Sequence, residues 1–481
     1  MKNKRNTQFL IPLMAAAAIC AVFFLYSLVL SFVNYKVVRG LLGSPYIGLS
    51  NFDRLFSMPQ TGAALGQSLL HSMMLSAAGL PLGLLITQVL ASLDRSIKAA
   101  VAGVCLALAL VPELAWMQLM QSVVSATGLR EFLIDPMLYP VLLCVAKLLP
   151  MTGLCAFGGL CVSLSGGKNP VAGVFVTGLL PALTALLPDL RTDLLFSNPM
   201  NQSASETLST LAYRYSLINV QYSVGGAATV VGMLLSLVIG VGAAYIIGST
   251  ADKPLCTPRA ALPADKRLAE GLTAAAGVVF ASLAVMLVIP RGSAIPNDMM
   301  GSSLANTLLC ALAAALIGFG VCYAVTHFFR DGSGFGLGLF GMLLLLPGSI
   351  SAAHYLLART LGMINTQFPV ILSVVSHPVF VALVLVLALC RPDENLLPLC
   401  AGGVALASGA LCAGDWLGAT VYITDMSKAP LGALVRRAAL TGEGGPAGGL
   451  MLLTGICLVL GGLAAVLIIT GIGAAEKTSE E

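Results

Sequence analysis

Charge is scarce in this chain of 481 residues. Lys, Arg, Asp and Glu together make up 10% of it, and the formal net charge is only +4. Nucleic acids are bound largely through clustered Lys and Arg, and the basic residues here are scattered, so we expect no nucleic-acid partner. The alternation of polar and apolar residues that marks the strands of a membrane β-barrel is also missing, which leaves helices as the expected regular structure.

Patterns that carry catalysis or bind metal are equally sparse. Most of the twelve cysteines lie singly inside apolar runs, and neither a CxxC pair nor a Cys/His ligand spacing occurs. A phosphate-binding loop has the pattern GxxxxGK followed by Ser or Thr, and the glycine-containing stretches 166–170 and 441–449 both lack it. The histidines are isolated from one another, at His71, His327, His354 and His377. We therefore expect a protein that is not an enzyme and that uses no metal or cofactor.

Apolar residues dominate what remains. They make up 58% of the chain, and the mean hydropathy of +0.94 is far above that of soluble domains. Many apolar runs reach about twenty residues, enough for a helix to cross a hydrocarbon core of about 30 Å. We predict an all-α, multi-pass membrane protein in contact with the lipid bilayer, with about twelve spans. These lie near 8–32, 64–91, 100–125, 137–163, 170–189, 225–249, 268–290, 302–329, 335–358, 367–390, 396–424 and 448–473.

The distribution of polar segments predicts two halves. The proline-containing stretch 251–266 is the best candidate for a cytoplasmic linker between residues 1–250 and residues 267–481. Shifting the sequence by 235 positions lays Ser68–Pro112 on Ser303–Pro347 without a gap, with about nine of the 45 positions identical. An even number of spans in each half predicts parallel repeats, related by an axis along the membrane normal.

The amino-terminal span is preceded by Lys2, Lys4 and Arg5, as the apolar region of a signal peptide is. It is too long for that role and has no small-residue cleavage site, so we interpret it as a membrane anchor. Basic residues slightly favour the segments assigned to the inner side. Both termini are then expected in the cytoplasm.

Motifs outside the apolar spans resemble those of a known family. Residues 46–52, YIGLSNF, match an aromatic–Gly–x–x–Asn–Phe signature at the first outer loop, and 198–240 is similar to the loop and last helix of the same type of subunit. In the second half, 397–437 and the stretch NTQFPVIL beginning at Asn365 are similar to a partner subunit. The residues that carry this second match are Trp416, Tyr422, Ile423, Asp425, Pro430 and Leu431.

These motifs resemble the permeases of carbohydrate ABC importers, the inner-membrane components of binding-protein-dependent transport. The resemblance implies two different type I permease subunits fused head to tail in the cytoplasmic (plasma) membrane of a bacterium. It also implies an ABC ATPase and an extracellular solute-binding protein as partners, and a small-molecule solute such as an oligosaccharide.

The chain departs from this family where the ATPase would dock. Family permeases place there a longer cytoplasmic segment with a Glu-Ala-Ala…Gly core, whereas the corresponding stretches here are only Leu164–Pro170 and Cys390–Pro398. We expect tight turns that have lost the docking helix, so that coupling to ATP hydrolysis is doubtful. The alternative is that the chain binds a diverged ATPase whose docking groove differs. The residues assigned to these degenerate turns are Gly166, Lys168, Arg391, Asp393 and Glu394.

Ionisable residues inside predicted spans are the best candidates for a transport pathway, because a charge in the bilayer is costly. Glu113 and Lys147 fall near the middle of the third and fourth spans, and we expect a buried pair beside a central cavity; the alternative is that each reaches a membrane interface. Pro112 and Pro347 are expected to break helices near mid-membrane, which would free backbone carbonyls for a polar solute.

The sequence thus predicts a transmembrane transport component that resembles the permease pore of a carbohydrate importer. The alternative is a pseudo-permease that does not transport and acts as a membrane scaffold or regulator.

Overall fold

The helices of this computed structural model follow the apolar pattern of the sequence. The structure describes residues 2–91, 93–128, 131, 135, 138–166, 169–182, 191–197, 200–250, 297–329, 341, 350–441 and 447–480. Within these ranges the regular structure is helical, apart from two isolated β-bridges in the loop between residues 33 and 46.

The first half contributes eleven of the described α-helices. They are α1 (Lys2–Phe32), α2 (Ser50–Ser57), α3 (Pro59–Ala91), α4 (Arg95–Ala109), α5 (Glu113–Thr127), α6 (Tyr139–Leu164), α7 (Pro170–Ala182), α8 (Arg191–Phe196), α9 (Gln202–Ser205), α10 (Leu208–Tyr213) and α11 (Tyr222–Thr250). The second half contributes eight. They are α12 (Asn297–Phe328), α13 (Ala352–Thr360), α14 (Phe368–Leu372), α15 (Pro378–Cys390), α16 (Leu397–Gly414), α17 (Trp416–Tyr422), α18 (Leu431–Thr441) and α19 (Ala447–Glu480).

Six of the described helices are long and apolar enough to cross a membrane, namely α3, α6, α11, α12, α16 and α19. Two bent pairs, α4 with α5 and the segment 368–376 with α15, raise this number to eight if each pair is one span. The protein therefore has the architecture of a multi-pass membrane protein. The predicted span at 268–290 and most of the one at 335–358 lie outside the described residues.

Three predicted spans are broken rather than continuous. The span at 100–125 bends by 87° between α4 and α5, and the one at 367–390 bends by 48° before α15. The one at 396–424 ends as α16 at Gly414 and restarts as α17 at Trp416. Apolarity alone does not report such breaks, because apolar residues lie on both sides of each break.

Small residues allow the closest helix contacts. A Cβ added to Gly173 in α7 would lie 2.3 Å from the carbonyl oxygen of Gly158 in α6, and one added to Gly409 in α16 would lie 2.9 Å from that of Ala311 in α12. Such approach of backbones is typical of helix packing in lipid, where no hydrophobic driving force acts between helices. The two halves also pack on each other, α1 against α12, α4 against α19 and α7 against α15.

The asparagines of the family-like motifs hold loops in place. The Asn51 amide donates to the carbonyl oxygens of Ser31 and Val33, at 2.9 and 3.0 Å, and so fixes the end of α1. Asn365 has a φ of 63°, and its side-chain oxygen accepts from the backbone N–H groups of Thr424 and Asp425. Part of the motif pattern therefore reflects loop structure.

Asp425 lies in an exposed turn beyond the end of α17. Its carboxylate accepts from the Ser427 hydroxyl at 2.8 Å and from the Ser427 N–H at 3.1 Å. These hydrogen bonds, the side-chain one first, hold the pKa of Asp425 below its ordinary value of 3.8.

Candidate functional site

Breaks in several helices meet at one place between the two halves. Pro112 separates α4 from α5, His377 separates the 3₁₀ turn at 373–376 from α15, and Asp415 separates α16 from α17. A Cβ built on Gly414 would lie 3.5 Å from that of Pro112, so two of these breaks touch. The Ser373 hydroxyl, in the 3₁₀ turn that precedes His377, donates to Asp415 Oδ2 at 3.2 Å. This hydrogen bond links the third break, at His377, to the break at Asp415.

The helix segments that lead to the three breaks have similar lengths. From the ends predicted to be cytoplasmic, α4 runs 15 residues, α15 runs 13 and α16 runs 18 before the break. At a rise of 1.5 Å per residue these lengths are roughly 20 to 27 Å. Each of these lengths is shorter than a hydrocarbon core of about 30 Å, and within such a core a broken helix must find partners inside the protein.

A cavity of about 120 Å³ opens at this point. Its polar lining comes from both halves: Glu113, Trp116, Lys147, Arg191 and Thr192 from the first, and His377 from the second. The indole N–H of Trp116 is buried without a hydrogen-bond partner among the described groups. The cavity therefore presents both signs of charge and an available donor, which suits a polar solute.

A buried ion pair joins the halves beside this cavity. Arg191 Nε and Nη2 donate to Asp415 Oδ1 and Oδ2 at 3.1 and 3.3 Å, and the two side chains are only 3% and 2% exposed. Asp415 also accepts from the Gly418 N–H at 3.0 Å and so caps α17. A carboxylate with four donors and a bidentate guanidinium is the arrangement in which a buried charge pair is tolerated.

Lys147 forms a second buried ion pair at the cavity wall. Its Nζ lies 2.6 Å from Asp193 Oδ1; the side chain of Lys147 is 15% exposed and that of Asp193 is fully buried. The sequence pointed to Glu113 as the partner of Lys147. Both residues do line the cavity, but the salt bridge of Lys147 is with Asp193.

Arg191 was not singled out in the sequence, because it follows the predicted span at 170–189. The structure buries it at the seam between the halves. Asp193 and Asp415 were not singled out, although Asp415 lies within the predicted span 396–424 and carried the same signal as Glu113. Pro112 does end a helix as predicted, whereas Pro347 lies outside the described residues.

The two turns on the predicted cytoplasmic side are short. Five residues separate α6 from α7 and six separate α15 from α16, and no helix occupies 391–396. Gly166 and Arg391 end their helices in left-handed conformation, with φ of 69° and 49°. The Asp393 carbonyl accepts from the N–H of Leu397 at 2.8 Å and so starts α16. Glu394 lies within the second turn; Lys168 lies outside the described residues.

A second cavity, of about 360 Å³, is almost wholly apolar. It lies between α1 and the segment 354–376, with Ile19, Phe23, Leu357 and Phe368 among its lining residues. The Phe23 ring stacks on the imidazole of His354, with centroids 3.8 Å apart. Because this cavity offers few polar groups, it is the poorer candidate for a polar solute.

Within the described ranges, no group of three His, Cys, Asp or Glu side chains is placed to hold a metal ion. Comparison of the chain with protein-family models, with curated proteins and with solved structures finds no match.

Proposed function

We propose that the protein is a transmembrane transport component, a fused permease-like pore whose solute passes between its two halves. The observation that carries the proposal is the meeting of three broken helices around a charged cavity between the two halves. Secondary transporters and other carriers bind polar solutes at such breaks, where freed backbone groups and helix ends face a cavity. The motif resemblance supports a small polar solute of the carbohydrate class and a bacterial cytoplasmic membrane, and the distribution of basic residues supports both termini inside.

Transport through this site requires the halves to move. A cavity of about 120 Å³ is well below the volume of roughly 300 Å³ or more that ligand pockets usually have. An oligosaccharide does not fit this conformation, so the described state is a closed one in this proposal. Arg191 and Asp415 face each other across the seam, and opening of the pathway would have to separate or reorient them.

We infer that ATP hydrolysis does not drive this movement through the usual docking helix. The turns at 165–169 and 391–396 leave no segment long enough to enter a groove in an ATPase. In this proposal an ion gradient supplies the energy. The test is co-purification with a carbohydrate-importer ATPase, and stimulation of its turnover, neither of which we expect. A stable complex that is lost when residues 391–396 are changed would restore ATP coupling.

The proposed function is tested by flux into proteoliposomes. Labelled mono- and oligosaccharides are offered with and without a proton gradient, and we expect gradient-dependent uptake of at least one of them. Glu113→Gln and Lys147→Met should reduce that uptake at least tenfold. Lys428→Met is the matched control, because Lys428 is exposed and forms only a surface pair with Asp425.

The second candidate is a pseudo-permease that acts as a membrane scaffold or regulator. The observation in its favour is the bidentate Arg191–Asp415 pair, which fastens the halves in one arrangement. A scaffold predicts no flux of any solute and no change in conformation when gradients are applied.

A further inference from the structure

His71 is a buried histidine whose ring has no hydrogen-bond partner in the described structure. It lies within α3, is 1% exposed, and neither of its ring nitrogens forms a hydrogen bond to a described group. Buried polar groups are nearly always satisfied, by protein or by water, because an unsatisfied one costs free energy. The position therefore calls for a partner of another kind, such as water.

The helix register places His71 beside the Lys147–Asp193 pair. Ser68, His71 and Leu75 share one face of α3, since residues three to four apart lie above one another. The Ser68 hydroxyl accepts from the Leu208 N–H at 2.7 Å, and Leu75 lines the same cavity as Lys147.

The loop that leads into α10 completes this geometry. The Thr207 hydroxyl, one residue before Leu208, lies 3.4 Å from Asp193 Oδ2. The charges of both Asp193 and Lys147 act on the imidazole of His71. His71 therefore lies between the start of α10 and the cavity wall, behind the ion pair.

A second unsatisfied group lies at the same cluster. The Tyr139 side chain at the start of α6 is fully buried, and its hydroxyl has no partner among the described residues. Asp193 acts electrostatically on Tyr139, and both members of the ion pair act on Cys144. Among the described residues, Lys147 from α6 and Asp193 from α8 act directly on His71, and Tyr139 and Cys144 from α6 are linked to the same ion pair.

The equivalent position of the second half has no such feature. The repeat pairs His71 with Asn306, whose amide donates to the Ser427 carbonyl at 2.9 Å and whose oxygen accepts from Gln367 at 2.9 Å. Asn306 is therefore satisfied by neighbouring protein groups. The unsatisfied histidine is specific to the first half, where the ion pair also lies.

We propose that His71, Tyr139 and the Lys147–Asp193 pair form a hydrated proton-binding site that opens to the cavity at Lys147. A hydronium ion that arrives through the cavity gives a proton to a His71 ring nitrogen: one O–H bond breaks, one N–H bond forms, and water is left behind. The new imidazolium takes Asp193 as its counter-ion when Lys147 turns into the cavity. Protonation of His71 and pairing of Lys147 with Asp193 then compete. This inference rests on the proposed transport function, for which it supplies the coupling ion.

Nitrogen NMR of histidine-labelled protein in lipid nanodiscs tests the proposal without any solute. The chain has only four histidines, and His71→Gln, or His71→Asn if the first variant does not fold, identifies the signal. We expect the His71 signal to change from neutral to imidazolium as the pH falls from 8 to 4. Lys147→Met should move that midpoint up by at least one pH unit, whereas Lys428→Met should leave it in place. A His71 signal that stays neutral in both proteins overturns the proposal, and so does an unchanged midpoint in Lys147→Met.

The water in this site is tested separately by Tyr139→Phe. A hydroxyl that is dry and unpaired costs free energy, so its removal would raise the melting temperature. A hydroxyl that is bonded to water contributes stability, and we expect the melting temperature to fall by several degrees. A rise would show that the site is dry and would overturn the proton path.

The two proposals can fail independently. A His71 that titrates in a protein without flux would leave the proton site intact and defeat the transport function. Gradient-driven flux in a protein whose His71 stays neutral would support the transport function and defeat the proton site.

Discussion

Removal of either member of the Arg191–Asp415 pair should destabilise the protein strongly, because each leaves a buried charge without its counter-ion. Breaking a buried ion pair in this way costs about 3–5 kcal/mol. Asp415→Asn keeps an N-cap acceptor for α17 but removes the charge that faces the Arg191 guanidinium at 3% exposure, so we expect a loss within this range.

Arg191→Met should cost less. The methionine stem fills part of the space of the arginine, and the Asp415 carboxylate keeps its hydrogen bonds from Ser373 and Gly418. We expect a loss of about 3 kcal/mol, at the lower end for such pairs. The double variant should lose less than the sum of the two single variants, with a coupling energy of at least about 2 kcal/mol.

The assay is SDS-induced unfolding of the purified protein in mixed micelles, followed by near-UV circular dichroism, for the wild type, both single variants and the double variant. The matched control is the Lys428–Asp425 pair, whose atoms lie 3.7 Å apart and whose side chains are 56% and 44% exposed. Breaking that pair should cost less than about 1 kcal/mol. Single variants at the buried pair that cost no more than this control, or additive effects in the double variant, would refute the reasoning.

Three smaller predictions follow from close contacts and capped turns. Gly173→Ala should destabilise by about 1–3 kcal/mol, because the new methyl group meets the Gly158 carbonyl oxygen at 2.3 Å, whereas Gly103→Ala, whose nearest neighbour is 3.8 Å away, should be tolerated. Asn51→Ala should lower stability by about 1–3 kcal/mol, since two buried carbonyls lose their donor; an unchanged unfolding midpoint would contradict this. Asp425 has a lowered pKa, so its contribution to stability is complete above pH 3.8 and is lost as the pH falls further. The melting temperatures of the wild type and Asp425→Asn should therefore differ at pH 6 and approach each other as the pH falls below 3.8.

Local features of the fold could be predicted from the sequence. Apolar runs of about twenty residues became helices such as α3, α6 and α19, because backbone groups in lipid must be bonded within their own segment. Pro112 ends α4, since proline has no N–H to continue the ladder. The short stretches after Leu164 and Cys390 are indeed turns between helices.

The site itself could be predicted only in part, because its contacts are not local. Arg191 and Asp415 lie 224 residues apart, and nothing in a single sequence pairs them. The breaks at His377 and Asp415 did leave signals: a proline directly after His377, and Gly414 followed by Asp415, a helix stop followed by an N-cap residue. Because the residues on both sides of these two breaks are apolar, each region was predicted as one continuous span. Asp193 was missed because it follows the predicted span at 170–189 rather than lying inside one.

Access of water to the cavity from both membrane faces tests the transport account most directly. A cysteine at Thr192, which lines the cavity, is exposed to a membrane-impermeant maleimide that is either outside or trapped inside proteoliposomes. Ten of the eleven described cysteines are buried and the other is half-buried, and Cys256 of the predicted linker is replaced by Ser in the parent protein to keep the background low. Val459→Cys is the control, because Val459 is 62% exposed on α19, a helix long and apolar enough to cross a membrane, and is expected to face lipid. The account predicts that Thr192→Cys reacts from either side and that the control reacts from neither. Reaction of Thr192→Cys from one side alone, or from neither side, would contradict a pathway between the two halves.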